Sequence, residues 1–222
     1  MLGAMSFKRS LLGAVRSWNK PKVFCVGRNK TGTTSLMTAM RDLGYVIGEQ
    51  RPAELLLRDW AVRDFRRLRR YCLTAQFFQD IPFSLPFTFQ AMDACFPRSK
   101  FILTIRDPEL WHRSMVAFHR KESVHGEKAL SLEALKEAEY CYRGFAYETK
   151  VLVYDLPGDD PYDKDTLISH FRFHNRCVTD YFRNRKEDLL VLDVSEKGAY
   201  ARLCEFLGHE SDGREFPWEN AS

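Results

Sequence analysis

The sequence predicts an α/β fold with three layers, in which helices flank a central, mostly parallel sheet. Short runs of consecutive apolar residues, typical of strands covered on both faces, alternate with helical patterns along the chain. The first of these runs ends at a glycine-containing loop that leads into a helix. Alternating strands and helices favour a parallel sheet with right-handed crossovers.

The pattern places each element in order. Asp107 and Pro108 are a helix-start signal, and Gly44 and Gly208 are stop signals. Strands are predicted at 22–27, 75–78, 100–105 and 189–193. Helices are predicted at 33–43, 53–71, 83–96, 108–121, 131–147, 165–186 and 199–207, and a loop rich in proline and aspartate at 151–164.

Composition indicates one globular domain. The chain has 222 residues, of which 45% are hydrophobic and 29% charged, and this balance excludes a disordered or fibrous protein. We expect a single α/β domain over 21–222, preceded by a surface or flexible segment over 1–20. The net charge of +4 favours a small anionic ligand and is too weak to indicate binding to nucleic acid.

The cysteines and the apolar runs favour a cytoplasmic location. Six cysteines occur without a C-x-x-C pair or a histidine at zinc-binding spacing, which is typical of reduced, buried thiols. Since no apolar run approaches the length of about 18 residues that a membrane span needs, stable insertion is not expected. The segment 1–20 is predicted to be a frayed or surface helix, with association to a membrane surface as the alternative.

Four segments follow strands of the predicted sheet, at 27–35, 79–82, 106–114 and 193–198. Ligands of such sheets bind beyond the carboxyl ends of the strands. The first segment, G-R-N-K-T-G-T-T-S, joins a strand to a helix, so that its amides and the positive end of the helix can converge on an anion. The P-loop of nucleotide hydrolases has lysine directly after its second glycine, where this P-loop-like segment has Thr33 and carries its lysine earlier, at Lys30.

The string K-T-G-T-T-S at 30–35 resembles the 5′-phosphosulfate loop of sulfotransferases that use 3′-phosphoadenosine 5′-phosphosulfate (PAPS). Arg106 and Ser114, eight residues apart after the third strand, resemble the 3′-phosphate site of that family. The alternatives are a chance glycine turn for the loop, a structural ion pair for Arg106 and a neutral helix position for Ser114. The resemblance extends over about 22–208 and is similar to the bacterial-type branch in the C-terminal half.

This resemblance implies transfer of a sulfuryl group from PAPS to a hydroxyl, or alternatively an amine, of a small metabolite or saccharide, with adenosine 3′,5′-bisphosphate as product. Lys30 would contact the bridging oxygen of the leaving group, and Arg106 and Ser114 would bind the 3′-phosphate. No magnesium is expected, because a sulfuryl group carries less charge than a phosphoryl group. The loop residues expected to hold the 5′-phosphate are Arg28, Asn29, Lys30, Thr31, Gly32, Thr33, Thr34 and Ser35.

The general base is assigned to Asp80. Cytosolic members of the family carry a histidine in the string K-T-H-L-P, and the similar place here reads Q-D-I-P at 79–82. A carboxylate can act as the base if burial raises its pKa toward neutrality. The alternative is that Asp80 caps the turn before Pro82. His112, His174 and Asn175 are weaker candidates, since a histidine on a helix is more often a packing residue.

Other features leave alternatives open. Four arginines, Arg63, Arg66, Arg67 and Arg70, form either a binding face for an anionic acceptor or a solvated helix face. The R-K-G-x-x-G-D-W-K segment of cytosolic members is missing, and only its K-G pair occurs, at a different place, as Lys197-Gly198. The aromatic residue expected after the T-T pair is replaced by Ser35-Leu36, so the contacts to adenine are not assigned.

Two other functions compete with sulfuryl transfer. A P-loop kinase would use ATP with magnesium, but Thr33 then replaces its lysine and Arg106 with Ser114 has no role. An inactive module that binds adenosine bisphosphate would keep Arg106 and Ser114 and would leave Asp80 dispensable.

Overall fold

The computed structural model describes residues 19–122, 130–154, 156 and 159–216. The predicted N-terminal segment therefore lies outside the described residues except for positions 19 and 20. These described residues divide into two compact units, one within 19–105 and 179–216 and the other within 106–178.

A parallel sheet of four strands lies in the first unit. Its strands are β1 Val23–Cys25, β2 Phe77–Phe78, β3 Lys100–Thr104 and β4 Leu189–Leu192, in the spatial order β2-β1-β3-β4. All neighbouring pairs are parallel, and Cys25 lies opposite Ile102 while Thr104 lies opposite Leu192. The predicted α/β class with a parallel sheet is confirmed.

The helices are numbered in chain order. They are α1 Thr33–Asp42, α2 Gln50–Glu54, α3 Leu57–Ala61, α4 Arg66–Tyr71, α5 Thr88–Cys95, α6 Pro108–Glu122, α7 Leu132–Glu137, α8 Phe145–Val153, α9 Lys164–Tyr181 and α10 Ala199–Leu207. A short 3₁₀ turn, Lys186–Asp188, precedes β4.

Both faces of the sheet are covered within the first unit. Successive side chains of a strand point to opposite faces, so neighbouring strand residues belong to two different clusters. Cys25 and Ile102 pack on one face in a cluster with buried residues of α1 and α10, which are Leu36, Ala39, Met40, Tyr200, Leu203 and Cys204. On the other face the ring of Phe24 lies 5.5–6.0 Å from the rings of Phe78, Phe83, Phe96 and Phe101. The unit therefore has the three layers that were predicted.

The single helix predicted over 53–71 is wrong, because this segment forms parts of α2, α3 and α4. Arg63 has a φ of 60°, a left-handed conformation that ends a right-handed helix. Asp64 then accepts a hydrogen bond from the Arg66 N–H at 3.1 Å, which turns the chain into α4. The apolar positions that suggested one helix are nevertheless buried at Leu57, Trp60, Leu68 and Cys72.

Two predictions for the second unit are wrong in part. The helix predicted over 131–147 is divided into α7 and α8, with a bridge between Glu139 and Arg143 and a positive φ of 82° at Gly144. The end of α8, at 151–153, occupies the start of the predicted loop.

The predicted start of α6 and the predicted bounds of α10 agree with the structure. The Asp107 Oδ1 atom accepts hydrogen bonds from the N–H groups of Glu109 at 3.0 Å and Leu110 at 2.9 Å, which confirms it as the cap of α6. Within the described ranges, no helix combines the length and apolarity needed to cross a membrane.

Candidate active site

The loop after β1 packs closely against the carboxyl end of β3. A Cβ atom on Gly27 would lie 2.1 Å from the Thr104 Oγ1 atom and 2.5 Å from the Thr104 carbonyl oxygen, so only glycine fits. Gly32 has a φ of 90°, and its Cβ would lie 2.2 Å from the Val194 Cγ2 atom, in the segment after β4. The predicted loop therefore lies at the carboxyl edge of the sheet, where ligands bind.

The amino terminus of α1 is suited to an anion. Among the described residues no side chain caps this helix, and its first turn contains no acidic residue. The helix begins at Thr33, directly after Gly32, and the Leu36 N–H donates to the Gly32 carbonyl at 3.0 Å. Because the first N–H groups of a helix have no partner within it, those at 33–35 form the kind of helix end at which anions bind in proteins.

Two cationic residues precede this helix. Lys30 is half-buried on the crest of the loop and has a φ of 70°. Arg28 is only 3% exposed. Between them, the Asn29 Oδ1 atom accepts a hydrogen bond from the Ser84 hydroxyl at 3.1 Å. The loop therefore presents positive charge together with the end of α1.

Thr31 faces the protein interior. Its hydroxyl donates to the Arg28 carbonyl at 2.5 Å and lies 2.6 Å from the hydroxyl of Thr104. Its side chain is therefore engaged inside the protein, and the backbone N–H is the group through which Thr31 would contact an anion.

Asp80 lies at the end of β2 and is 6% exposed. Burial raises the pKa of its carboxyl to about 6, against the opposing effects of the Thr33 hydroxyl, the Gln79 amide and the Lys30 charge. The Gln79 Nε2 atom donates to Asp80 Oδ2 at 3.2 Å, while the main-chain carbonyl of Asp80 accepts from the Ser84 N–H at 2.9 Å. The charge of Lys30 and the hydroxyl of Thr33 therefore lie close enough to the Asp80 carboxyl to influence its pKa.

A second buried carboxylate, Glu54, was missed by the sequence analysis. Glu54 is 3% exposed, and its Oε1 atom accepts a hydrogen bond from Gln50 Nε2 at 2.7 Å. Its negative charge further raises the pKa of Asp80. One signal was available, because Glu54 lies three residues before Leu57 and hence on the apolar side of the helical pattern.

Arg106 and Ser114 belong to the second unit. Arg106 immediately precedes the cap of α6, and Ser114 lies six residues after Pro108, about 9 Å along the helix axis. Ser114 is 6% exposed, and its hydroxyl has no hydrogen-bond partner in the part of the chain that is described. Side chains of a helix tilt toward its amino terminus, which is the end at which Arg106 lies.

Most of the weaker candidates have structural roles. A ring nitrogen of His112 is hydrogen-bonded to the Tyr162 carbonyl at 2.9 Å, and His174 is buried in α9. The Gly198 N–H donates to the Glu215 carboxylate, so this amide is already engaged. Three of the four arginines contact neighbours, as Arg66 pairs with Asp64, Arg67 pairs with Asp59 and Arg63 stacks on Trp60 and Phe87.

The described ranges contain no group of three or more histidine, cysteine, aspartate or glutamate side chains arranged to hold a metal ion. All six cysteines are free thiols.

Comparison with known proteins identifies the family. No curated protein matches the chain. A family model described as a sulfotransferase domain matches residues 22–222. The match includes the glycine loop, Asp80, Arg106 and Ser114. The chain therefore belongs to the sulfotransferase domain family, whose members are transferases that move sulfuryl groups.

Proposed function

We propose that the chain transfers a sulfuryl group from PAPS to a hydroxyl, or alternatively an amine, of a small metabolite or saccharide. Membership of the sulfotransferase family supports the reaction class. The observation that carries the proposal is the proximity of Lys30 to Asp80 beside the uncapped amino terminus of α1. These groups provide an anion site, a cation for the leaving group and a base.

The 5′-phosphosulfate end of the donor fits the loop. The N–H groups at 33–35 and the positive end of α1 attract an anion, and the Thr33, Thr34 and Ser35 side chains bring hydroxyl groups to the same turn. When bound, PAPS supplies the sulfuryl group and departs as adenosine 3′,5′-bisphosphate.

Lys30 stabilises the leaving group in this proposal. As the bond between sulfur and the bridging oxygen breaks, negative charge grows on that oxygen of the 5′-phosphate. An ammonium group is a compact point charge and suits a single oxygen atom. The charge-stabilising role therefore belongs to Lys30, which acts mainly in the transition state.

Asp80 is the proposed base. The acceptor hydroxyl must lose its proton as its oxygen bonds to sulfur, and the Asp80 carboxylate accepts that proton. A pKa of about 6 leaves the carboxylate ionised at neutral pH and makes it more basic than an ordinary aspartate. Glu54 adds negative charge nearby and so strengthens this basicity.

Arg106 and Ser114 are proposed to bind the 3′-phosphate. A guanidinium group recognises the oxygens of a phosphate through paired hydrogen bonds. Ser114 supports this assignment, because a buried hydroxyl without a partner is costly unless a ligand satisfies it. This pair would distinguish PAPS from nucleotides that lack the 3′-phosphate.

Turnover with a labelled donor tests the function. The protein is incubated with [³⁵S]PAPS and a panel of phenols, alcohols, saccharides and amines, and labelled products are separated from unreacted [³⁵S]PAPS and labelled sulfate. We expect at least one acceptor to become labelled. Tight binding of the bisphosphate without transfer to any acceptor or to water would instead indicate an inactive binding module.

Arg106→Ala is expected to weaken binding of adenosine 3′,5′-bisphosphate by about 2–4 kcal/mol, because it leaves a phosphate charge without its partner. The affinity of the 5′-monophosphate, which lacks the 3′-phosphate, should change little. Calorimetric titration measures both. Arg113→Ala, an exposed position on the same helix, is the control. An equal loss of affinity for both nucleotides would remove Arg106 from the 3′-phosphate site.

A further inference from the structure

A line of buried hydrogen-bonding groups connects the sheet to the loop after β1. The Cys25 Sγ atom lies 3.7 Å from Thr104 Oγ1, which lies 2.6 Å from Thr31 Oγ1, and Thr31 Oγ1 lies 2.5 Å from the Arg28 carbonyl oxygen. Cys25 and Thr104 are fully buried, and Thr31 is 1% exposed. Water therefore does not compete for these contacts.

The number of hydrogens fixes the direction of the line. The Arg28 carbonyl can only accept, so the single hydroxyl hydrogen of Thr31 is donated to it. The contact between the two threonines must then use the hydrogen of Thr104. Since that hydrogen is committed, the Cys25 thiol is the donor to Thr104 Oγ1.

The Cys25 thiol keeps its hydrogen at neutral pH, because burial raises its pKa to about 12. The sequence of donors therefore runs from Cys25 through Thr104 and Thr31 to the loop.

Thr104 also determines how closely the loop approaches the sheet. Its side-chain oxygen occupies the place that a Cβ on Gly27 would take, at 2.1 Å. The loop is thus held at Gly27 by close packing and at Arg28 by a hydrogen bond. Lys30, two residues beyond Arg28, has the unusual φ of 70° that positions the crest.

We infer that Thr104 is a positioning residue of the sulfuryl transfer reaction, which through Thr31 fixes the Arg28 carbonyl and holds Lys30 in place. Its kinetic consequence depends on the proposed function of Lys30. The existence of the hydrogen-bond line does not depend on that function, because its effect on the loop backbone can be measured in the absence of PAPS.

The test compares Thr104→Val, which removes the hydroxyl at nearly constant shape, with Thr104→Ser, which retains it. Amide hydrogen exchange at 28–35 and the kcat for PAPS conversion are measured. We expect Thr104→Val to speed exchange and lower kcat by about tenfold each, which is the effect of losing one buried hydrogen bond. Thr104→Ser should remain within about threefold of wild type in both.

Three further variants sharpen the comparison. Thr31→Val combined with Thr104→Val should cost no more than Thr31→Val alone, because Thr31→Val already removes the contact through which Thr104 acts on the loop. Cys25→Ala should have little effect on exchange, since the two bonds nearer the loop stay intact. Ser99→Ala, which removes a buried hydroxyl that donates to the Phe96 carbonyl near the other end of β3, is the control for general loss of stability.

The outcomes separate the two proposals. Wild-type exchange and kcat in Thr104→Val, or additive losses in the double variant, would overturn the positioning role. If Thr104→Val does not fold, Thr104→Ala compared with Thr104→Ser decides the same question, because these two variants differ only in the hydroxyl. Failure of the wild-type protein to convert PAPS would count against the proposed function, while hydrogen exchange would still decide whether the line holds the loop.

Discussion

Lys30→Ala is expected to lower kcat for PAPS conversion by about 10²–10³-fold, the usual loss when one group that stabilises transition-state charge is removed. Affinity for intact PAPS should fall by less than about tenfold, because the bridging oxygen of the intact donor does not yet carry the charge that Lys30 stabilises. The loss of kcat is larger than the loss of affinity because the charge on the bridging oxygen develops only as the bond to sulfur breaks. Rates and affinities are measured on the same preparations.

The variant leaves the loop backbone under the same constraint, since lysine and alanine both carry a Cβ at the φ of 70°. Lys186→Ala, at an exposed lysine of the 3₁₀ turn, is the matched control and should leave both quantities unchanged. Equal losses of turnover and affinity would show that Lys30 only binds nucleotide.

Asp80→Asn is expected to lower kcat by about 10²–10⁴-fold, because the amide cannot accept the acceptor proton. In the wild-type protein, kcat/KM should fall as the pH drops through about 6, where the carboxylate becomes protonated. This acidic limb should disappear in the variant. Unchanged turnover in Asp80→Asn would exclude Asp80 as the base.

The same variant should be more stable than wild type above about pH 6. The pKa of Asp80 is raised in the folded protein from the usual 3.8 to about 6, so ionisation costs more in the folded than in the unfolded state. The cost is absent below the unfolded pKa, grows as the pH rises through the folded pKa, and is complete above it. A shift of this size corresponds to about 3 kcal/mol.

Denaturation of both proteins at about pH 8 and about pH 3 measures this cost. We expect the stabilisation of Asp80→Asn at the higher pH to vanish at the lower one. A variant that is destabilised at the higher pH would show that the Asp80 carboxylate is a structural group, as in the alternative that it caps a turn.

The sequence was sufficient for features that depend on local chemistry. The cap at Asp107, the stop of α10 at Gly208 and the glycine loop each involve residues within a few positions of one another, and each was found. Periodicity also identified the buried side of the segment over 53–71. It did not show that the helix is interrupted, because the positive φ of Arg63 leaves no mark in the hydrophobic pattern.

The missed residues of the site depend on contacts distant in sequence. Thr104 acts on a loop more than 70 residues earlier and is 73 residues from Thr31, and Glu54 influences Asp80 across two intervening helices. In the sequence, Thr104 and Glu54 are visible as polar residues within apolar patterns, one at the end of a strand and the other on a helix face. The partner of Thr104 became evident only when the parallel register placed β1 beside β3.

Thermal unfolding with three ligands tests the donor site most directly. Adenosine 3′,5′-bisphosphate, ATP with magnesium and adenosine 5′-monophosphate are compared at equal concentrations. A ligand at about one hundred times its Kd stabilises the folded state by about 2.7 kcal/mol. We expect the bisphosphate to give the largest increase in Tm and the monophosphate a much smaller one. A larger increase with ATP and magnesium than with the bisphosphate would contradict a PAPS site.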